Sequence, residues 1–178
     1  MTNEDWIFWN KDHLITWDDF QGETKQSSTH YAQTANKIQY NWKIEFRTDK
    51  AKFRFLDFEV KAIFVKSQSW KQKFTAYYPE KVLKHEQGHF DIAEEFSRRF
   101  KEILTTELMN KTFSFKMKGN ETYENSANAE AKKIVDRVYE KVETEYNNEH
   151  HKYDDETKHG TDLRHQEKYD QRFDKLRN

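Results

Sequence analysis

The chain has 178 residues, a length typical of one domain, and 35% of them are charged. Its 14 Phe, nine Tyr and five Trp can build a core from few side chains, so we expect a folded protein rather than a disordered one. A net charge of -1 argues against a nucleic-acid-binding face, and no apolar run reaches the about 18 residues of a membrane span. The absence of cysteine excludes disulfides, iron–sulfur clusters and thiol catalysis.

The first half of the chain is predicted to form antiparallel strands. Apolar residues alternate with polar ones from Ile38 to Phe46, which is typical of a half-buried strand. A second strand is predicted over residues 52–66, with a change of parity between Phe55 and Phe58 that indicates a bulge or a break. The short polar segment between the two strands suits a hairpin turn.

The second half is predicted to form three helices. Pro79 suits the first turn of a helix that runs from Glu80 to about Asn110. A second helix is predicted over residues 123–146, and the polar segment 147–160 is expected to break it. A third helix is predicted over residues 162–176.

Because the strands come first and the helices follow, the sequence predicts an α+β fold rather than alternating βαβ units. We expect one domain over residues 1–178, with a strand-rich part over 1–78 and a helical part over 79–178. The helical part is expected to carry the functional site.

The stretch KHEQGHFDI, residues 84–92, is the strongest functional signal. His85 and His89 are four residues apart on the predicted helix, so they project from one face and can bind one Zn²⁺ ion. Glu86 lies beside them, where it can act as a general base. Gly88 leaves room for another group to approach the helix. The alternative is two imidazoles that share a helix face by chance.

A catalytic zinc ion takes a third protein ligand, and the sequence leaves its identity open. No HxxGxxH extension follows His89. The segment YDDETKHG, residues 153–160, is predicted to be a loop with functional residues, and the alternative is a solvated polar loop. The candidates for the third ligand are Asp91, Glu94, Glu95, His150, His151, His159 and His165.

Four separated motifs resemble the DUF922 family, described as bacterial, predicted secreted zinc-dependent proteases. They are LITWDDFQG (14–22), SQSW (67–70), LKHEQGHFDIAE (83–94) and YDDETKHG (153–160), the last followed by Gln166. The resemblance implies a zincin-like fold in which His85 and His89 bind zinc and Glu86 is the base. The family pattern YDxxTxHG falls on Tyr153, Asp154, Thr157, His159 and Gly160.

This pattern also implies roles for the residues after the second helix. His159 is expected to be the third zinc ligand, and Tyr153 is expected to donate to the oxyanion of a tetrahedral intermediate. Asp154 or Asp91 is expected to orient a ligand imidazole from behind, with Thr157 in a similar supporting position.

The function implied is a zinc metallopeptidase that hydrolyses peptide bonds in a protein or peptide substrate. The alternatives are a non-catalytic metal-binding or protein-interaction module on the same scaffold, and a helical interaction protein with an accidental motif. The resemblance implies export, but the N-terminus shows acids and only a short apolar run, WIFW, in place of a signal peptide. A mature extracytoplasmic chain and a cytoplasmic one both remain open.

Overall fold

The computed structural model describes residues 4–24, 30–73, 79–117 and 119–178, and it has an α+β architecture. The predicted fold class is therefore confirmed at this level. The predicted boundary at residue 78 lies outside the described residues. The elements in chain order are β1 (Trp6–Phe8), β2 (Ala32–Gln33), β3 (Asn36–Arg47), β4 (Lys52–Val65), β5 (Trp70–Lys71), α1 (Pro79–Leu108), β6 (Thr112–Ser114), α2 (Tyr123–Thr157) and α3 (Leu163–Arg177).

The two predicted strands are confirmed as β3 and β4, which are neighbours in a sheet of order β1-β4-β3. Strand β1 pairs antiparallel with the end of β4, and β6 pairs antiparallel with its beginning. The predicted change of parity is present, because Leu56 and Asp57 are both exposed between the buried Phe55 and Phe58. The backbone of β4 nevertheless stays extended through it. A separate two-stranded sheet consists of β2 and β5.

The chain forms two compact units, each made of segments that are distant in sequence. The first contains the described residues of Met1–Gln39, Lys61–Phe96 and Tyr146–Asn178. Its buried side chains include Phe64, Phe90, Ile92, Tyr153 and Phe173. The second contains the described residues of Tyr40–Val60 and Ser97–Glu145, with Phe53, Phe55, Phe58, Phe100 and Leu104 buried. Aromatic rings dominate both cores, as the composition predicts.

The predicted bounds of α1 and α3 agree with the structure, but the prediction for α2 was wrong. Helix α2 continues through residues 147–157, so Tyr153, Asp154 and Thr157 lie on a helix rather than in a loop. The reason is a stripe of residues at helical spacing that turn inward, although several of them are polar. The members of this stripe are Tyr146, His150, Tyr153 and Thr157.

The N-terminal segment that contains TWDDFQG packs in the first unit. Phe20 is buried, and its ring lies 5.2 Å from that of Phe64 in β4. The backbone N–H of Ile15 donates to the side chain of Gln87 in α1 at 2.9 Å. The segment is thus anchored both to the sheet and to the helix that carries HEQGH.

Candidate metal centre

Three potential ligand atoms form a tight triangle between α1 and the end of α2. The Nε2 atoms of His85 and His89 lie 3.2 Å apart. Each of them lies 3.0 Å from Oδ1 of Asp154. Residues 85–89 fall within α1, so helical geometry places both imidazoles on one face, as the sequence predicts.

A fourth potential ligand comes from the turn that follows α2. Nδ1 of His159 lies 3.3 Å from the same carboxylate oxygen of Asp154. The ligand atoms of His85, Asp154 and His159 all fall within 4.8 Å of one another. His85 is buried, whereas about half of the His159 side chain is exposed. The site therefore has a buried side formed by α1 and an open side formed by His159.

These separations fit a metal ion. Ligand atoms about 2.0–2.1 Å from a tetrahedral zinc ion lie about 3.3 Å from each other, close to the observed edges of 3.0 and 3.2 Å. Histidine and carboxylate are also ligands that zinc accepts in the absence of cysteine.

The hydrogen bonds of Thr157 fix the protonation of His85. The Thr157 hydroxyl donates to the carbonyl oxygen of Tyr153 at 2.6 Å, so it can only accept from Nδ1–H of His85, 3.3 Å away. The lone pair of His85 is then on Nε2, directed at Asp154 Oδ1. Two acceptors 3.0 Å apart repel each other unless a cation lies between them. The supporting position expected for Thr157 agrees with this geometry.

Burial and charge keep the donors in their metal-binding forms. Burial lowers the pKa of His85 below its ordinary value of 6.5, which favours the neutral imidazole. Burial alone would raise the pKa of Asp154, but the imidazoles of His85 and His89 beside its carboxylate hold it below its ordinary value. A neutral imidazole and an ionised carboxylate are the species that bind metal ions.

Glu86 lies at the wall of a cavity that also exposes the metal-ligand atoms. The cavity has a volume of about 740 Å³, and its lining includes Glu86, His85 and His89 from α1 and the segment 30–36. Glu86 is buried, and its Oε2 accepts a hydrogen bond from the hydroxyl of Thr34 at 2.6 Å. A carboxylate held in this way, next to the ligand atoms, is positioned to exchange protons with a molecule in the cavity.

Tyr153 does not lie where an oxyanion donor is needed. Its ring stacks on that of His85 at 4.6 Å and 12°, and its side chain is fully buried. Its hydroxyl donates to the carbonyl oxygen of His85 at 3.2 Å and accepts from Gln166 at 2.8 Å. The hydroxyl thus faces the backbone of α1 rather than the cavity. It occupies the space that Gly88 leaves, since a Cβ on Gly88 would lie 2.1 Å from it.

Asp91 also lies apart from the ligand atoms. Its Oδ1 accepts hydrogen bonds from Trp9 at 2.7 Å, Gln87 at 3.0 Å and Arg177 at 2.6 Å. These contacts tie the N-terminal segment and α3 to α1. Of the two acids that the sequence offers as supports for an imidazole, only Asp154 contacts one, and it does so at the ligand nitrogens rather than behind them.

The turn after α2 brings His159 and Gly160 against α1. Lys158, His159 and Gly160 all have positive φ, with values of 50°, 53° and 80°. A Cβ on Gly160 would lie 2.8 Å from Cβ of His85, so the turn needs glycine for close approach as well as for its backbone angle. A left-handed histidine costs about 1 kcal/mol or more, which is a strain typical of functional sites.

The sequence signals for two further residues were weak. Thr34 is 52 residues from Glu86 in the chain, and no local pattern relates them. His150 was one of several candidate ligands, yet the structure places its Nδ1 2.7 Å from Nδ1 of His89. Its position follows only when α2 is extended beyond residue 146.

The chain matches a protein family over residues 15–160, a range that contains all four candidate ligands and Glu86. The family is described as bacterial protein of unknown function (DUF922). The chain belongs to the DUF922 family. The match ends at Gly160, so α3 lies beyond the part that matches DUF922.

Neither the curated proteins nor the solved structures contain a significant match to this chain. Among the described residues, no helix has the length and apolar character needed to cross a membrane.

Proposed function

We propose that this DUF922 protein is a zinc-dependent metallopeptidase with a zincin-like fold. The observation that supports the proposal best is the convergence of four potential metal ligands beside a buried glutamate, at the wall of a cavity. A structural metal site has no need of such a glutamate, whereas hydrolysis of a peptide bond needs a base.

His85, His89 and Asp154 would hold the zinc ion, and His159 would complete the set from the exposed side. The bound ion supplies Lewis-acid chemistry, because it lowers the pKa of water and polarises a carbonyl group. His159 has the most exposed side chain of the four, so it is the ligand that a substrate can most easily displace.

Glu86 would accept a proton from the attacking water and later deliver it to the leaving amine. The hydrogen bond from Thr34 holds the carboxylate in one orientation during both transfers. Thr34 belongs to the segment 30–36, which lines the same cavity as Glu86. The same segment can therefore position the base and limit the space available to a substrate.

The cavity suits a peptide substrate in size. Its volume of about 740 Å³ is within the about 300–1,000 Å³ of typical ligand sites. Apolar walls from Trp70, Val82 and Tyr146 accompany the polar groups of the metal centre. This combination can take apolar side chains next to a polar peptide bond.

A second candidate function is a non-catalytic metal-binding module on the same scaffold. The presence of four potential ligands favours it, because a closed four-ligand zinc site is typical of structural sites. In this case Glu86 would hold Thr34 in place through their hydrogen bond and would not transfer protons.

The decisive experiment compares zinc-loaded wild type, Glu86→Gln and the control Glu80→Gln on a mixture of peptides analysed by mass spectrometry. Glu80 is exposed in the first turn of α1. We expect cleavage by wild type and Glu80→Gln, and a loss of about 10²–10⁴-fold in Glu86→Gln with zinc still bound. Undiminished cleavage by Glu86→Gln would refute the role of the base. Full zinc content without cleavage by wild type would favour the non-catalytic module.

A further inference from the structure

We infer that His150 is a positioning residue for His89, an inference that rests on the metal site of the proposed function. The two imidazoles meet through their Nδ1 atoms at 2.7 Å, with ring centroids 5.0 Å apart and an interplanar angle of 25°. His150 lies in the part of α2 that the sequence predicts to be a loop.

The hydrogen positions follow from the geometry of His89. Two ring nitrogens 2.7 Å apart share one hydrogen atom, which must belong to one of them. When Nε2 of His89 offers its lone pair to a metal ion, its hydrogen is on Nδ1 and donates to Nδ1 of His150. His150 then carries its own hydrogen on Nε2.

Three residues at helical spacing on α2 together serve the two imidazoles of α1. His150, Asp154 and Thr157 follow the spacing i, i+4 and i+7, so they form one stripe. Thr157 accepts from Nδ1 of His85, and His150 accepts from Nδ1 of His89. Asp154 contributes its carboxylate between them. Each imidazole of the HEQGH motif thus has its own acceptor on the same helix face.

The surroundings of His150 hold its ring in place. Its ring packs edge-on against that of Tyr146, with centroids 4.4 Å apart. Its Nε2 is buried and has no hydrogen-bond partner among the described residues. A buried Nε2 that does not reach the Asp154 oxygen argues against His150 as a direct ligand. The ring instead acts through His89.

Loss of this acceptor frees His89 to rotate and to take the other tautomer, in which Nε2 carries hydrogen and cannot bind a metal ion. Removal of such outer partners costs about 10–100-fold in metal affinity in other zinc sites. We therefore expect zinc still to bind without His150, but more weakly.

The test is a zinc titration against a competing chromogenic chelator, with four variants beside the wild type. His150→Leu removes the acceptor, His150→Asn keeps an amide oxygen close to the Nδ1 position, and His150→Gln moves the amide away from it. His151→Leu is the control, because His151 is the exposed neighbour and lines the same cavity.

We expect the dissociation constant of His150→Leu and His150→Gln to rise about 10–100-fold with unchanged zinc content at saturation. The dissociation constant of His150→Asn should lie within a few-fold of the wild-type value, and that of His151→Leu should equal the wild-type value. The comparison of Asn with Gln remains informative if the leucine variant does not fold. Equal affinity of Asn and Gln variants would overturn the inference, and a loss of bound zinc in all His150 variants would make His150 a ligand instead.

Proton NMR of the zinc-loaded protein gives an independent signature. The Nδ1–H of His89 should give a slowly exchanging, downfield resonance in wild type and His150→Asn, and this resonance should be absent in His150→Gln. Its presence in all variants would contradict a hydrogen bond to His150.

These measurements separate the inference from the proposed function. Zinc affinity can depend on His150 in a protein that cleaves no peptide, in which case only the peptidase proposal fails. Cleavage by wild type with zinc affinity independent of His150 would refute only the positioning role.

Discussion

Replacement of Gly88 by alanine tests how closely Tyr153 packs against the metal-binding helix. A Cβ at this position would lie 2.1 Å from the Tyr153 hydroxyl and 2.6 Å from its Cζ atom. Tyr153 is fully buried and wedged against the rings of His85, at 4.6 Å, and Tyr169, at 4.7 Å. The hydroxyl must therefore move by at least 1.3 Å, from 2.1 to 3.4 Å, to reach ordinary van der Waals contact.

The expected cost follows from three effects on the free energy of unfolding. Alanine is favoured over glycine inside a helix by about 1 kcal/mol, which would stabilise the variant. Overpacking of a buried ring opposes this with about 1–3 kcal/mol. The Tyr153 hydroxyl also loses its bonds to His85 and Gln166, at about 1 kcal/mol each. We expect a net destabilisation of about 2–4 kcal/mol.

The assay is urea unfolding in the presence of a chelator, followed by tryptophan fluorescence. Tyr153→Phe and the double variant with Gly88→Ala provide the comparison, because removal of the hydroxyl takes away the closest contact. The double variant should lose less stability than the sum of the two single changes. A Gly88→Ala protein that is as stable as wild type, or about 1 kcal/mol more stable, would refute the packing argument.

Three further predictions concern the ligands, the base and the pH dependence. Asp154→Asn should weaken zinc binding, measured by calorimetry, more than His159→Ala does. The control Asp155→Asn should leave zinc affinity unchanged. A larger loss of affinity in His159→Ala than in Asp154→Asn would make His159 the stronger ligand. Thr34→Val should lower kcat/KM about 10-fold without a change in zinc affinity, because it acts on the base alone, and a parallel loss of zinc would contradict this. Burial and the neighbouring His89 lower the pKa of His150 from 6.5 to about 3, so the unfolded chain binds the extra proton between these pH values. In the presence of a chelator, the free energy of unfolding should therefore fall by at most about 1.4 kcal/mol for each pH unit below pH 6.5. Urea unfolding of His150→Asn should show a smaller dependence of this free energy on pH. An equal pH dependence in the two proteins would exclude His150 as its cause.

Helix α1 and the two long strands could be predicted because their apolar residues follow a regular period. The same local reasoning indicated the shared face of His85 and His89 and the close approach at Gly88, where Tyr153 packs. These features depend on residues within a few turns of one another.

The end of α2 could not be predicted in this way. Its inward-facing residues between 147 and 157 include a histidine and a threonine, which a hydrophobic pattern counts as polar. A loop at this segment would leave Tyr153 free to face a substrate and Asp154 without a fixed position relative to His85. The helix fixes both, because residues 153 and 154 point about 100° apart.

Contacts between segments that are distant in sequence could not be predicted either. The hydrogen bond from Thr34 to Glu86 joins a segment beside β2 to α1, and the anchoring of α3 through Gln166 depends on a buried tyrosine hydroxyl. Neither leaves a periodic signal in the sequence.

The most direct test of the account is a crystal structure of the zinc-soaked protein, with diffraction data collected on both sides of the zinc absorption edge. A zinc ion at the proposed site should give one strong anomalous peak within about 2.3 Å of Nε2 of His85, Nε2 of His89 and Oδ1 of Asp154. A peak held by other residues, or no peak at these three atoms at saturating zinc, would contradict the account.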